Sequence, residues 1–278
     1  MYMNKYLNNE IFDELRENIK GYLKNFLSES LIESKLNNCK YVLSTKRMNK
    51  IYVGNETKTI LLNDNSGYTS IEHFKDQNNK INIKKPILFV SAKATSKEKQ
   101  KQIAFHEMMH VLSTRQKVIN KQKYQLKSGI YEQNIIYDKT ILTFDNKLFL
   151  LNEAITELVS KYIYDQIYIN KYKIKEKVGR YIYKSAYEKE YFILVFNLLN
   201  YFEKNPNILF DIYFNNNVKL LNKVLKQVQG TNLDIINSRV RDTMKKDPKT
   251  QNRYYMYLDS LQSKENLNNK DVLRQFSL

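Results

Sequence analysis

His106-Glu107-Met108-Met109-His110 constrains the backbone more tightly than any other stretch of this sequence. Two imidazoles four positions apart reach a common point on an α-helix, where they project from one face about a turn apart. On a strand the same residues would stand roughly 13 Å apart. Glu107 is rotated away from that point, enough to reach a water beside a metal ion rather than the ion itself. The flanking residues agree with a helix. Residues 86–92 read as a nearly continuous apolar strand, and Thr95 with Glu98 three positions later forms a capping box, so the spacing predicts a helix over about 95–114.

The rest of the chain predicts a mixture of strands and helices. Apolar side chains recur at helical spacing from Ile11 to Leu31, which predicts one or two amphipathic helices over 10–36. Residues 41–44, 50–53 and 59–62 are short, β-branched or aromatic, and separated by Asn, Gly and Lys, as strands of a small sheet would be. Residues 115–150 read as irregular loop plus a hairpin. A second helix is expected to begin at Asn152, with Leu151, Ile155, Leu158, Val159, Tyr162 and Ile167 on one face. Further helices are expected near 187–204, 218–229, 233–244 and 254–262, broken at Asn205-Pro206, at a triple Asn and at Gly230, and the last dozen residues are polar enough to fray. The expected class is therefore α+β. Residues 1–115 would form an N-terminal part with a small, mostly antiparallel sheet and the motif helix. Residues 116–278 would form a mainly helical part, with a cleft between the two.

Composition limits the chemistry. Hydrophobic residues at 42% and charged residues at 27% describe a folding chain rather than a disordered one. A single cysteine, Cys39, cannot build a multi-cysteine zinc site or an intrachain disulfide. Any metal must sit on histidine and carboxylate. The formal charge of +17 suggests a polyanionic partner, but the lysines are scattered in ones and twos. Six Gly, three Pro and no Trp, beside abundant Lys, Asn, Ile and Tyr, are what A/T-rich codons produce, so no nucleic-acid partner is expected. The N-terminus has no apolar core of a signal peptide, and the longest apolar run, 191–196, is far too short to span a bilayer. The expectation is a chain without a membrane span, cytoplasmic unless an export leader has been removed.

Zinc in a catalytic site takes three protein ligands and leaves a fourth position open. The one other histidine, His73, lies in a polar segment upstream and reads as a core or surface residue. A third histidine ligand downstream would need Gly at 113 and His at 116, where the chain has Ser113 and Gln116. A carboxylate from a later helix remains, and Asn152-Glu153-Ala154-Ile155-Thr156-Glu157 offers one. Taken without the upstream motif, Glu153 and Glu157 would be a solvated acidic face at i,i+4 spacing.

The pairing of His-Glu-x-x-His with Asn-Glu-Ala-Ile-x-acid resembles the gluzincin zinc metallopeptidases, the thermolysin-like group, over residues 88–165. The resemblance implies a zincin-like fold and one catalytic Zn2+ held by His106, His110 and Glu153. It implies Glu107 as general base and Glu157 as the acid that hydrogen-bonds a ligand histidine. The gap between the two motifs is longer than in thermolysin, so 115–150 would hold an insertion. The implied activity is hydrolysis of peptide bonds in a peptide or protein substrate, with Glu107 taking a proton from a zinc-activated water. The oxyanion-stabilising residue is open among Tyr131, Tyr137, Tyr187 and His73. Strand 87–90 should be central in its sheet, leaving another strand as the edge that captures an extended peptide. The alternative is a zincin-like or basic binding protein without turnover, against which the intact Glu107 weighs.

Overall fold

The computed structural model describes residues 10–46, 48–53, 56–62, 66–78, 80–137, 142–147, 149–169, 201–202 and 204–235. The architecture is α+β. Helices α1 (Glu10–Leu23) and α2 (Glu29–Asn37) realise the amphipathic N-terminal stretch, burying Phe12, Leu15, Ile19 and Leu23 from the first and Ile32 and Leu36 from the second. Each such side chain removed from water contributes about 1.5–3 kcal/mol. Strand β1 (Lys40–Ser44) follows, then the hairpin β2 (Met48–Val53) and β3 (Glu56–Leu61), β4 (Gly67–Ser70), the short pair β5 (His73–Lys75) and β6 (Ile81–Ile83), and β7 (Ile87–Ser91).

The expected single small sheet is divided. Strands β1, β7 and β4 form one three-stranded sheet, while β2–β3 and β5–β6 stand as separate antiparallel pairs. As its apolar run predicts, β7 is central, flanked by parallel β1 and antiparallel β4. Strand alternation then sorts the side chains. Tyr41, Leu43, Leu88 and Val90 face the large core, whereas Val42, Tyr68, Ile87 and Phe89 pack with Leu62 on the other face. Gly67 and Thr69 of β4 pair with Val90 and Leu88 and so share the core-side face.

That face supports helix α3 (Lys97–Ser113), which carries the motif. Its cap differs from the sequence reading. Ser96, not Thr95, is the N-cap, and its hydroxyl accepts from the Lys99 backbone N–H at 3.1 Å. Glu98 does not complete a capping box but accepts a hydrogen bond from the Tyr164 hydroxyl. From Ile103 to Ser113 every residue of α3 is buried except His106 and His110, so the helix is wrapped on all sides but the one where its two histidines emerge.

The segment read as loop plus hairpin is a four-stranded antiparallel meander. Strands β8 (Arg115–Val118), β9 (Lys123–Ser128), β10 (Tyr131–Tyr137) and β11 (Leu142–Lys147) lie side by side in chain order. Tyr124 and Leu126 of β9 and Tyr131 and Ile135 of β10 form one inner face with Ile81. A two-residue turn joins β9 to β10 and needs a positive φ, which Gly129 supplies at 58°. A Cβ there would also run into Asn152 and Tyr213, so the turn is locked against the helical layer.

Helix α4 (Phe149–Tyr164) starts a turn earlier than expected and ends in a π-helical turn at Asp165–Ile169. Asn152 is therefore inside the helix. Its side chain accepts from the Ile130 backbone N–H at 2.9 Å and tethers the β9–β10 turn. Helix α5 (Pro206–Phe214) occupies residues where the sequence suggested only a break, because a proline that stops one helix suits the first turn of the next. Helix α6 (Val218–Gln229) matches its expected limits and ends on left-handed Gly230. A helical turn begins at Leu233. The expected helices at 187–200 and 254–262, most of 233–244 and the polar C-terminus lie outside the described residues. Among the described residues no helix is long and apolar enough to cross a membrane.

Candidate metal centre

Helices α3 and α4 pack together, and their partly open positions face one another. On α4 these include Glu153, Glu157 and Lys161, a stripe at i, i+4 and i+8 opposite His106 and His110 of α3. The core beneath the stripe sets the approach of the two helices: Phe105, Met108, Met109 and Leu112 from α3 share one cluster with Leu151, Ile155, Leu158 and Val159 from α4.

The result is a convergent donor set. His106 Nε2 and His110 Nε2 are 3.2 Å apart. Glu153 closes the triangle, with Oε2 3.6 Å from His106 Nε2 and Oε1 3.4 Å from His110 Nε2. One ligand atom from each residue lies within 4.8 Å of the others, and the group could hold a metal ion. Behind it, His106 Nδ1 is 2.7 Å from Glu157 Oε2, and Glu157 Oε1 is 2.7 Å from the Lys161 ammonium. A ring N–H on Nδ1 donating to Glu157 would leave Nε2 free to give its lone pair to a metal ion, the tautomer a metal ligand requires.

Charge follows geometry. In the absence of a metal, burial pulls the His106 imidazolium down, but hydrogen bonds that its ring donates to the Glu153 and Glu157 carboxylates outweigh it and hold the ring well above its ordinary value. Burial alone would raise both glutamates. Glu153 is instead held below the carboxylate range by the two histidines, and Glu157 by His106 and Lys161. Glu107 goes the other way. Its carboxyl is pushed up by burial and by Glu153, against the lowering effects of His106, His110 and a Thr69 hydrogen bond. Such a group has more affinity for a proton than an exposed glutamate, as a general base working near neutrality needs.

The site has supports that the sequence reading did not find. Thr69 Oγ1 on β4 stands 2.8 Å from Glu107 Oε2. In the last turn of α3 the His110 carbonyl accepts from Thr114 Oγ1 at 2.6 Å, Ser113 Oγ at 3.2 Å and Ser128 Oγ at 3.3 Å, which ties off the end of the helix. The buried Tyr213 hydroxyl on α5 lies 2.9 Å from Thr156 Oγ1, one turn along α4 from Glu153. The contacts of Thr69, Ser128 and Tyr213 have no signature in residue spacing, since each joins segments far apart in the chain. Ser113 and Thr114, three and four residues after His110, and Lys161, the i+4 partner of an acid already singled out, were within reach.

The structure thus brings together His106, His110, Glu153 and Glu157, with Glu107 between the two histidines. Of the weaker candidates, His73 and Tyr131 have packing partners of their own. His73 is 3% exposed and packs its ring on Tyr124 at 5.1 Å. Tyr131 belongs to the meander cluster, separate from the core that carries α3 and α4. Tyr137 ends β10 opposite Leu142. Tyr187 lies outside the described residues. No protein-family model matches the chain, and no curated protein or solved structure matches it either.

Proposed function

We propose that this chain is a zinc-dependent peptidase of the gluzincin type, with a zincin-like arrangement of sheet β1–β7–β4, helix α3 and helix α4. The observation that carries the reading is the convergence of His106, His110 and Glu153, whose two Nε2 atoms are 3.2 Å apart and whose carboxylate brings one oxygen to 3.6 Å from the first and the other to 3.4 Å from the second. Zinc bonds of 2.0–2.1 Å in a tetrahedron place neighbouring ligand atoms roughly 3.3–3.4 Å apart, close to these spacings. Two imidazoles and one carboxylate also suit zinc better than magnesium or calcium, which favour all-oxygen shells.

When bound, zinc supplies Lewis acidity toward a carbonyl oxygen and acidifies water. The chain's own groups do the rest. His106, His110 and Glu153 hold the ion, and Glu157 orients the His106 ring while Lys161 keeps Glu157 ionised. Glu107 would accept a proton from the attacking water and return it to the leaving amine. Among the described strands β4 is paired only with β7 and lies against α3 beside Glu107, so an extended peptide added at its other edge would pass the site. The test is reversible inactivation. Cleavage of an internally quenched peptide library should vanish on chelation and return on adding zinc. Cleavage that survives complete zinc removal would overturn the reading.

A further inference from the structure

Among the described residues, the Glu107 carboxylate is held by one outside both helices. Thr69 Oγ1 sits 2.8 Å from Glu107 Oε2 and 3.1 Å from the Glu107 carbonyl. That carbonyl lies inside α3, where the helix's own ladder supplies it a donor, so the carboxylate is the acceptor with most to gain. Two residues earlier on the same face of β4, Gly67 makes room for the same side chain. A Cβ at Gly67 would stand 2.7 Å from Glu107 Cγ, 2.9 Å from Oε1 and 2.7 Å from Ile103 Cγ2. The strand therefore grips Glu107 twice, by a hydroxyl on one oxygen and by the absence of a side chain beside the other.

We propose that Thr69 is a positioning residue for the Glu107 carboxylate, and that Gly67 keeps open the space which that carboxylate occupies. This rests on the peptidase reading and adds to it. A carboxylate on three rotatable side-chain bonds samples several directions, and a general base acts only when its free oxygen points at the proton it takes. Tying Oε2 to β4 leaves Oε1 as the working oxygen. Because the tether lies on the strand proposed to receive the substrate, the base and the peptide backbone would share one reference frame.

The test uses the full chain loaded with zinc, comparing wild type with Thr69→Val, Thr69→Ser and Gly67→Ala. Turnover is read on internally quenched peptides, and affinity for acetohydroxamate is read by calorimetry. A hydroxamic acid chelates the metal while passing its proton to the neighbouring carboxylate, so it probes Glu107 without turnover. Thr69→Val should keep one equivalent of zinc and lose roughly ten- to a hundredfold in kcat, with KM within about twofold. Thr69→Ser should stay within about threefold of wild type. Acetohydroxamate should bind about tenfold more weakly to Thr69→Val and to Gly67→Ala than to wild type.

Thr69→Val with wild-type kcat and hydroxamate affinity would overturn the proposal, as would a change confined to KM or an equal loss in Thr69→Ser. If the zinc-loaded wild type cleaves none of the peptides, the hydroxamate comparison decides by itself. A wild type that binds no zinc would overturn the peptidase reading, and this inference with it.

Discussion

His73 and His106 are both enclosed by the protein, and their surroundings differ in kind. His73 sits on the short pair β5–β6 with its ring against Tyr124. His106 sits on α3 with a carboxylate against each ring nitrogen, Glu157 at 2.7 Å and Glu153 at 3.6 Å. The first site packs the imidazole against an aromatic ring. The second sets it between two carboxylates, one facing each ring nitrogen. The same contrast runs along α4 and its π-helical extension. Glu157 is enclosed beside His106 and Lys161 and is held below the carboxylate range, whereas Asp165, four residues beyond Lys161, is pushed from 3.8 up to about 6 by burial that Lys161 only partly offsets. Burial sets the cost of a charge, and the partner decides the sign of the shift.

The contrast would break first at Glu107. Glu107→Gln keeps the size of the side chain and removes the base, so peptide cleavage should fall by about 10²–10⁴-fold while zinc content stays at the wild-type level. Activity within tenfold of wild type in steady-state rates would remove Glu107 from the mechanism. Next in size is Glu157→Gln, which leaves the triangle intact but no longer fixes the His106 ring as an anion does. Zinc affinity by competition with a chromophoric chelator should weaken about 10–100-fold. An unchanged affinity would reduce Glu157 and Lys161 to a surface pair.

Asp165 sharpens the second half of the comparison. Its folded-state pKa of about 6 exceeds the ordinary 3.8, so the folded chain holds more protons than the unfolded one between those values, and stability falls as pH rises through that window. Asp165→Asn should remove that loss. Its melting temperature, measured from pH 4 to pH 7, should exceed that of wild type increasingly toward pH 7, and parallel curves would contradict the assignment. The smallest effect is expected at His73. His73→Phe preserves an aromatic contact with Tyr124, and its zinc affinity should remain within about twofold of wild type. A large drop would give the third histidine a part in the centre after all.

Much of the site was legible in the sequence. A pair of histidines at i,i+4 on a helix and two acids at i,i+4 on a later helix each specify a face, and the core beneath brings those faces together. The ends of elements were less legible. Ser96 took the cap from Thr95, and Asn152 gave its side chain to the β9–β10 turn, because neighbouring polar residues compete for such roles through tertiary contacts. The meander was hidden because its strands alternate Tyr, Leu and Ile with Lys, Gln and Glu over short runs that also suit loops. Yet buried and half-exposed positions alternate without exception through β9. Helix α5 was lost to a proline taken as a stop. Thr69 and Gly67 could not be placed beforehand, since what matters about them is the helix that passes over their strand.

The central claim is that His106, His110 and Glu153 form one zinc centre. The most direct measurement is zinc bound per chain, by elemental analysis after equilibration with zinc and desalting, in wild type and Glu153→Ala side by side. The account predicts one equivalent in wild type and a value near zero in the variant, with both proteins folded by circular dichroism. A wild type that retains no zinc, or a variant that retains as much as wild type, would contradict it.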